Sequence, residues 1–314
     1  MILDQFIILF LFLLTGFFCK KYGVFSDSAI NGINKFVVNI GFPSLILVRT
    51  TTLVMSQSVF VNFLLAIAIT LGLFFLFSFY AKFLCRGKIY PADDKSVSEM
   101  AVFSPNNGFM GFPVATAFYG SMGLLYMVGC NIALNTMIFT YGIRKMKKSD
   151  SATNESKGNR LSNFLLMLVH PKVSAAIIGL ILCYNHVVLP ASIDGFLSAI
   201  GGVSTPMAMI SVGTYLASSF SLASFKKRIV MEPALNKILL IPVVSAVIVW
   251  FLPIDPLLKT ILIISNTMPV AAVVPILSEQ YGRNKGFAGE MLVISTILSM
   301  ATIPFFVWII DLLI

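Results

Sequence analysis

The sequence predicts an all-α polytopic membrane protein, with ten transmembrane helices arranged as two inverted five-helix repeats. Three observations carry this. Apolar runs of about 20 residues recur along the chain, each long enough to span a bilayer core. The basic residues fall almost entirely on one side of the alternating spans. Proline and Tyr-Gly marks recur at matching places in the two halves.

Composition supports the first observation. The chain has 314 residues, 58% hydrophobic and only 11% charged, with a mean hydropathy of +0.93. Soluble domains carry about 25% charge, so this chain belongs in a bilayer. A net charge of +9 could suit nucleic acid, but the cations sit in short loops and at span ends, where they set orientation. No nucleic-acid partner is expected. Cys19, Cys85, Cys130 and Cys183 lie in or beside apolar segments and form no C-x-x-C or metal-ligand spacing. They read as small buried hydrophobes, and neither metal nor cofactor is expected. The first 20 residues lack a basic leading region and carry Asp4 instead. No small-x-small cleavage site precedes Lys20-Lys21, so this segment reads as a retained first span.

The first half, 1–143, holds spans over 3–19, 30–48, 58–82, 97–119 and 122–143. The hydrophilic stretch RKMKKSDSATNESKGNR (144–160) has nothing to bury and reads as a flexible cytoplasmic loop over 144–161. The second half, 162–314, holds spans over 163–184, 195–217, 234–254, 257–281 and 287–313. With the N-terminus outside, 20 of the 22 basic residues fall inside, leaving only Arg49 and Lys259 outside. A missed or extra span would scramble that split. Both termini are therefore expected outside a plasma membrane.

Five is odd, so the second half enters the membrane upside down relative to the first. Pro43 of the second span matches Pro206 of the seventh, and Pro113 of the fourth matches Pro275 of the ninth. Tyr119-Gly120 and Tyr281-Gly282 follow the latter two prolines at the same offset. Matching span, spacing and offset together indicate an inverted-topology repeat, an architecture of secondary transporters.

The fourth span contains SPNNGFMGFP (104–113) and the ninth SNTMPVAAVVP (265–275). Lipid tolerates such interruptions only where protein or a water-lined cavity shelters the backbone. Pro113, Pro269 and Pro275 read as the breaks where the two helices cross. Half-helices starting beyond a break present free N–H groups and a positive pole. Two such poles facing one cavity favour a small organic anion. Ser104, Asn106, Asn107, Gly108, Ser265, Asn266 and Thr267 would bind it with neutral groups and close backbone; the same side chains could equally just satisfy the broken backbone. Asn131 and Asn135, spaced i, i+4 in the fifth span, either line the cavity or bond a neighbouring helix. Glu99 and Glu279, near inner span ends, could each take a coupling proton or be an interfacial charge. Neutral groups and exposed carbonyls could hold sodium instead. Lys35 reads as a snorkelling cation. His170 and His186 lie near opposite faces and cannot share a metal, and no hydrolase, zincin or Walker motif occurs. The chain does not read as an enzyme.

These residues resemble the auxin efflux carrier family, which includes plant auxin carriers and bacterial malate and malonate permease-like proteins. GINKFVVNIGFP (32–43), SPNNGFMGFP (104–113), MAMISVG (207–213) and VVPILSEQYG (273–282) carry the resemblance, which covers nearly the whole chain outside the central loop. It implies a fold related to bile-acid/sodium symporters and sodium/proton antiporters, with helices four and nine crossing at Pro113 and Pro275. It implies a scaffold of spans 1, 2, 6 and 7 that forms a homodimer. Spans 3–5 and 8–10 would form a transport domain moving elevator-fashion. Two departures stand out, the first bearing on a proton switch in the third span and the second favouring the bacterial organic-acid branch over auxin. The third span lacks the plant carriers' Asp and Lys, and the plant Asn-Pro-Asn-Thr-Tyr reads His170-Pro171-Lys172-Val173-Ser174.

The expected function is secondary transport of small carboxylates such as malate by alternating access, with proton or sodium coupling open. A sodium-coupled bile-acid-like symporter and a cation/proton antiporter are alternatives from the same class. A membrane-embedded enzyme or sensor is the alternative from another.

Overall fold

The computed structural model describes residues 2–54, 56–86, 90–147, 170–219 and 221–313. Its regular elements are helices: α1 (Ile2–Lys21), α2 (Asp27–Thr51), α3 (Gln57–Leu84), α4 (Ala92–Phe103), α5 (Asn107–Met146), α6 (Pro171–Tyr184), α7 (Ala191–Ser219), α8 (Arg228–Trp250), α9 (Pro256–Thr267), α10 (Val273–Gln280) and α11 (Lys285–Leu313). Among the described residues six of these, α2, α3, α5, α7, α8 and α11, are long and apolar enough to cross a membrane. The molecule is thus a polytopic helical membrane protein. Most of the expected central loop and the start of the expected sixth span lie outside the described residues.

Local chemistry sets the helix starts. Ser26 and Ser56 cap α2 and α3 by accepting from the amides of Ala29 and Val59, at 3.2 and 3.3 Å. Asp255 caps α9 by accepting from Leu258 N at 2.9 Å, and Pro256 follows in the first turn, where its missing N–H costs nothing. Glycine is needed where α5 bends. Gly120 has φ 61° and ψ −149°, a conformation essentially reserved for glycine, and Gly282 of the matching Tyr-Gly pair has φ 63°.

Packing falls into two sets of neighbours. Helix α1 lies along α7, and α2 packs on α6 and α7. Helix α3 packs on α4 and α5, α8 on α9 and α11, and α10 on α11. Fully buried Phe42, Phe103 and Phe112 fill the space around the breaks. Phe42 of α2 meets Phe112 of α5 edge to face at 5.0 Å, joining the two sets beside the site.

Both breaks fall inside the two stretches the sequence suggested, 104–113 and 265–275, but not at Pro113 or Pro275. Helix α4 ends at Phe103, and the chain is interrupted at Ser104–Asn106; α9 ends at Thr267 and α10 starts at Val273. Pro105 and Val270 form an antiparallel bridge, in which Asn106 N donates to Pro269 O at 2.7 Å and Ala271 N donates to Ser104 O at 2.8 Å. Pro269 lies at the crossing, as expected, but Pro113 and Pro275 do not. Pro275 sits in the first turn of α10, where a missing N–H is harmless. Pro113 sits just after a π-helical turn over Asn107–Gly111, which absorbs the lost hydrogen bond without ending the helix. Pro105 is the proline that interrupts the first of the two helices.

Candidate functional site

Two polar groups form around the paired segments. The first lies within the crossing. Asn107 Nδ2 donates to Ser265 Oγ at 2.8 Å, tying the first turn of α5 to the last turn of α9. Both residues are fully buried, as are Ser104, Asn266 and Thr267. Asn106 is a capping residue, its Oδ1 accepting from Phe109 N at 3.3 Å. Asn266 Nδ2 donates back to Leu262 O at 2.9 Å, and Thr267 Oγ1 to Ile264 O at 2.8 Å, so each is turned partly onto its own helix. Ser104 Oγ, Asn106 Nδ2, Asn107 Oδ1 and Asn266 Oδ1 are buried without a partner. Unmet polar atoms at this density are costly in an apolar interior.

The second group is the cradle at Gly108. A methyl group built on Gly108 would lie 3.7 Å from Lys172 Nζ and 4.0 Å from Asn131 Nδ2. Asn131 accepts from Asn135 Nδ2 at 3.3 Å, so the i, i+4 pair of the sequence is one hydrogen-bonded unit. Lys172 reaches in from the start of α6 and is 9% exposed. Its ammonium stands 5.6 Å from the Phe112 ring centroid and 6.0 Å from that of Phe42, within cation–π range. Among the described residues it makes no ion pair.

Lys172 was missed by the sequence reading, which counted it with the inside-facing cations. The electrostatics of the cradle are therefore one-signed. The N-terminal end of α5 carries a positive pole, and the cation beside it has the same sign. An anion would be held by both, with the Asn131 amide as a further donor.

The acids are engaged elsewhere. Glu99 is buried but lies 2.9 Å from Lys145, off the hydrogen-bond direction of its Oε2, and so joins α4 to the end of α5. Glu279 is exposed at 60% and pairs with Lys285 at 2.7 Å on the surface. Of the two roles open to it, coupling acid or interfacial charge, an exposed ion pair fits the interfacial charge. Arg283 holds the same end of the molecule together, donating to Asp93 at 2.6 Å and to Met146 O at 2.7 Å.

Two cavities lie away from the crossing residues. One of about 670 Å³ is lined by Thr51–Leu53 and His186–Leu189. The other, of about 320 Å³, lies between α1, α5, α7 and α11, and its lining of Phe6, Leu13, Met110 and Ile303 suits hydrocarbon and not a carboxylate.

A helical membrane protein whose interrupted helices pair inside a buried polar cluster belongs to the class of membrane transporters. Comparison with known families makes this definite. The model of the membrane transport protein family matches residues 1–307, and the chain belongs to that family, which is that of the auxin efflux carriers. It is 24% identical to an uncharacterized transporter of Methanothermobacter thermautotrophicus, over 93% of this chain and 92% of the relative. It is also 24% identical to one of Methanocaldococcus jannaschii, over 98% of each. The uncharacterized transporter YfdV of Escherichia coli is 27% identical over 66% of each chain. The protein is a transporter and not an enzyme.

Proposed function

We propose that this chain is a secondary-active carrier of small organic anions, mono- or dicarboxylates such as malate, working by alternating access. The observation that carries the reading is Lys172, a buried cation beside the positive pole of α5 with no carboxylate partner among the described residues. Burying a cation without a counter-charge is costly, and a substrate carboxylate would supply one. The Asn131–Asn135 pair would orient it, and Asn107 would hold the crossing from which the pole projects.

The finer architecture belongs to the same reading. Ten spans form two inverted repeats, 1–143 and 162–314, in the plasma membrane with both termini outside. The close packing of α1, α2, α6 and α7 with one another supports their assignment as a dimerising scaffold. The positive φ shared by Gly120 and Gly282 supports the repeat. Lys172 would then be a fixed scaffold charge, and Gly108 and Asn131 would ride on the moving domain.

Purified protein in liposomes, offered labelled mono- and dicarboxylates with and without sodium and pH gradients, tests the reading. The expected result is saturable uptake of at least one carboxylate, competed by other carboxylates but not by uncharged analogues. Movement of cations or neutral solutes alone would overturn it.

Asn107→Ala removes the 2.8 Å bond to Ser265. Losing a buried hydrogen bond of this kind costs about 1–3 kcal/mol, enough to loosen the crossing without preventing insertion. Uptake is expected to be abolished while membrane yield stays normal. Normal uptake would remove Asn107 from the site.

A further inference from the structure

A second lysine lies inside the molecule. Lys237, on the π-helical turn Asn236–Leu240 of α8, is fully buried. Its Nζ donates to the backbone carbonyl of Asn266 at 3.3 Å. That carbonyl belongs to the last turn of α9, where the break leaves acceptors without helical donors. Val270 N–H, which would reach Asn266 O if the helix continued, donates to Ser295 Oγ at 3.0 Å instead. Asn266 Oδ1 and Asn107 Oδ1 are buried without a partner nearby in the same crossing. The place combines the negative pole of a half-helix with unmet oxygen acceptors, the chemistry that elsewhere coordinates an alkali cation.

Carboxylates do not explain Lys237. Five acids, on α8 itself and on the helices packed against its turn, have other partners. Asp93 pairs with Arg283, Asp94 accepts from Asn284, and Glu99 pairs with Lys145. Glu232 pairs with Arg228, and Glu290 with Lys227. Lys237 makes no ion pair among the described residues.

We propose that the ammonium of Lys237 is a tethered cation that fills the oxygen-rich end of α9 at the crossing, so that no metal cation is needed there to hold the two broken helices together. The proposal concerns what stabilises the crossing, and it stands whatever anion the protein carries.

The test needs no cargo. Thermal unfolding of the detergent-purified full chain is followed in sodium, lithium, potassium and choline chloride at equal ionic strength. Wild type is expected to melt at the same temperature in all four. Lys237→Ala, which empties the position, is expected to melt lower in choline. Sodium or ethylammonium should raise its Tm saturably by about 2–4 °C. Lys237→Met keeps the stem but not the charge; it should melt below wild type and respond to neither cation. If Lys237→Ala yields no folded protein, comparing Lys237→Met with Lys237→Arg keeps the test open, since only arginine should approach wild type. A wild-type Tm that rises in sodium overturns the proposal. So does a methionine variant as stable as wild type, or an alanine variant indifferent to every cation.

Discussion

Lys172→Met is expected to remove carboxylate uptake while leaving a folded, inserted protein. Methionine keeps most of the stem that packs between Phe42 and Phe112, so the loss falls on the charge. A substrate carboxylate entering the variant would meet only the α5 pole and the amide of Asn131. Truncating one partner of a buried charge pair costs about 2–5 kcal/mol, or roughly 30-fold to several thousand-fold in affinity. The measurement is initial uptake rate against substrate concentration in proteoliposomes, with the Tm of the purified variant as the control for folding. Lys172→Arg should retain part of the activity, because it restores the charge with a different geometry. Methionine should also make the empty protein no less stable, since it relieves like-signed repulsion at the α5 N-terminus. Normal uptake by the methionine variant would sink the anion cradle.

How far the sequence could lead depends on which physical signal each feature leaves in it. Span positions follow from hydrocarbon thickness, and α3 over Gln57–Leu84 brackets the expected 58–82. The Tyr-Gly pairs were visible because only glycine fills a positive φ cheaply, and both glycines adopt one. The stretches were legible, but the breaking prolines were only partly identified, because proline has two meanings. Pro113 and Pro275 follow a break and begin the continuing helix, whereas Pro105 and Pro269 make one, and composition cannot separate these uses. The two lysines were lost for a different reason. Lys172 and Lys237 fall near inner span ends, so they were counted as orienting charges. Nothing local records that one tip reaches Gly108 and the other the Asn266 carbonyl. Those contacts join residues 64 and 29 positions apart and exist only once the helices pack. Asn106 and Thr267 show the converse case, in which polar residues beside the break are turned onto their own helix.

Cross-linking Thr52 to Ser121 is expected to stop transport completely and reversibly. The two hydroxyls lie 3.4 Å apart, joining the end of α2 to the first turn after the bend in α5. By the reading proposed above, one belongs to the scaffold and the other to the moving domain. The hydroxyl contact sets the two side chains tip to tip, the arrangement in which paired cysteines can be oxidised. The double variant Thr52→Cys, Ser121→Cys is best made with Cys19, Cys85, Cys130 and Cys183 replaced by serine or alanine, so that the introduced pair is the one oxidised. Oxidised protein should then show uptake at the level of empty liposomes, and reductant should restore it, with each single variant active throughout. The logic is geometric. If α5 slides past α2, a covalent bond between them removes the motion that alternating access requires. If instead only side chains near Gly108 rearrange while the helices stay in register, the bond does nothing. A fully oxidised double variant that transports at the wild-type rate would therefore end the sliding mechanism and leave a local gate at the crossing in its place.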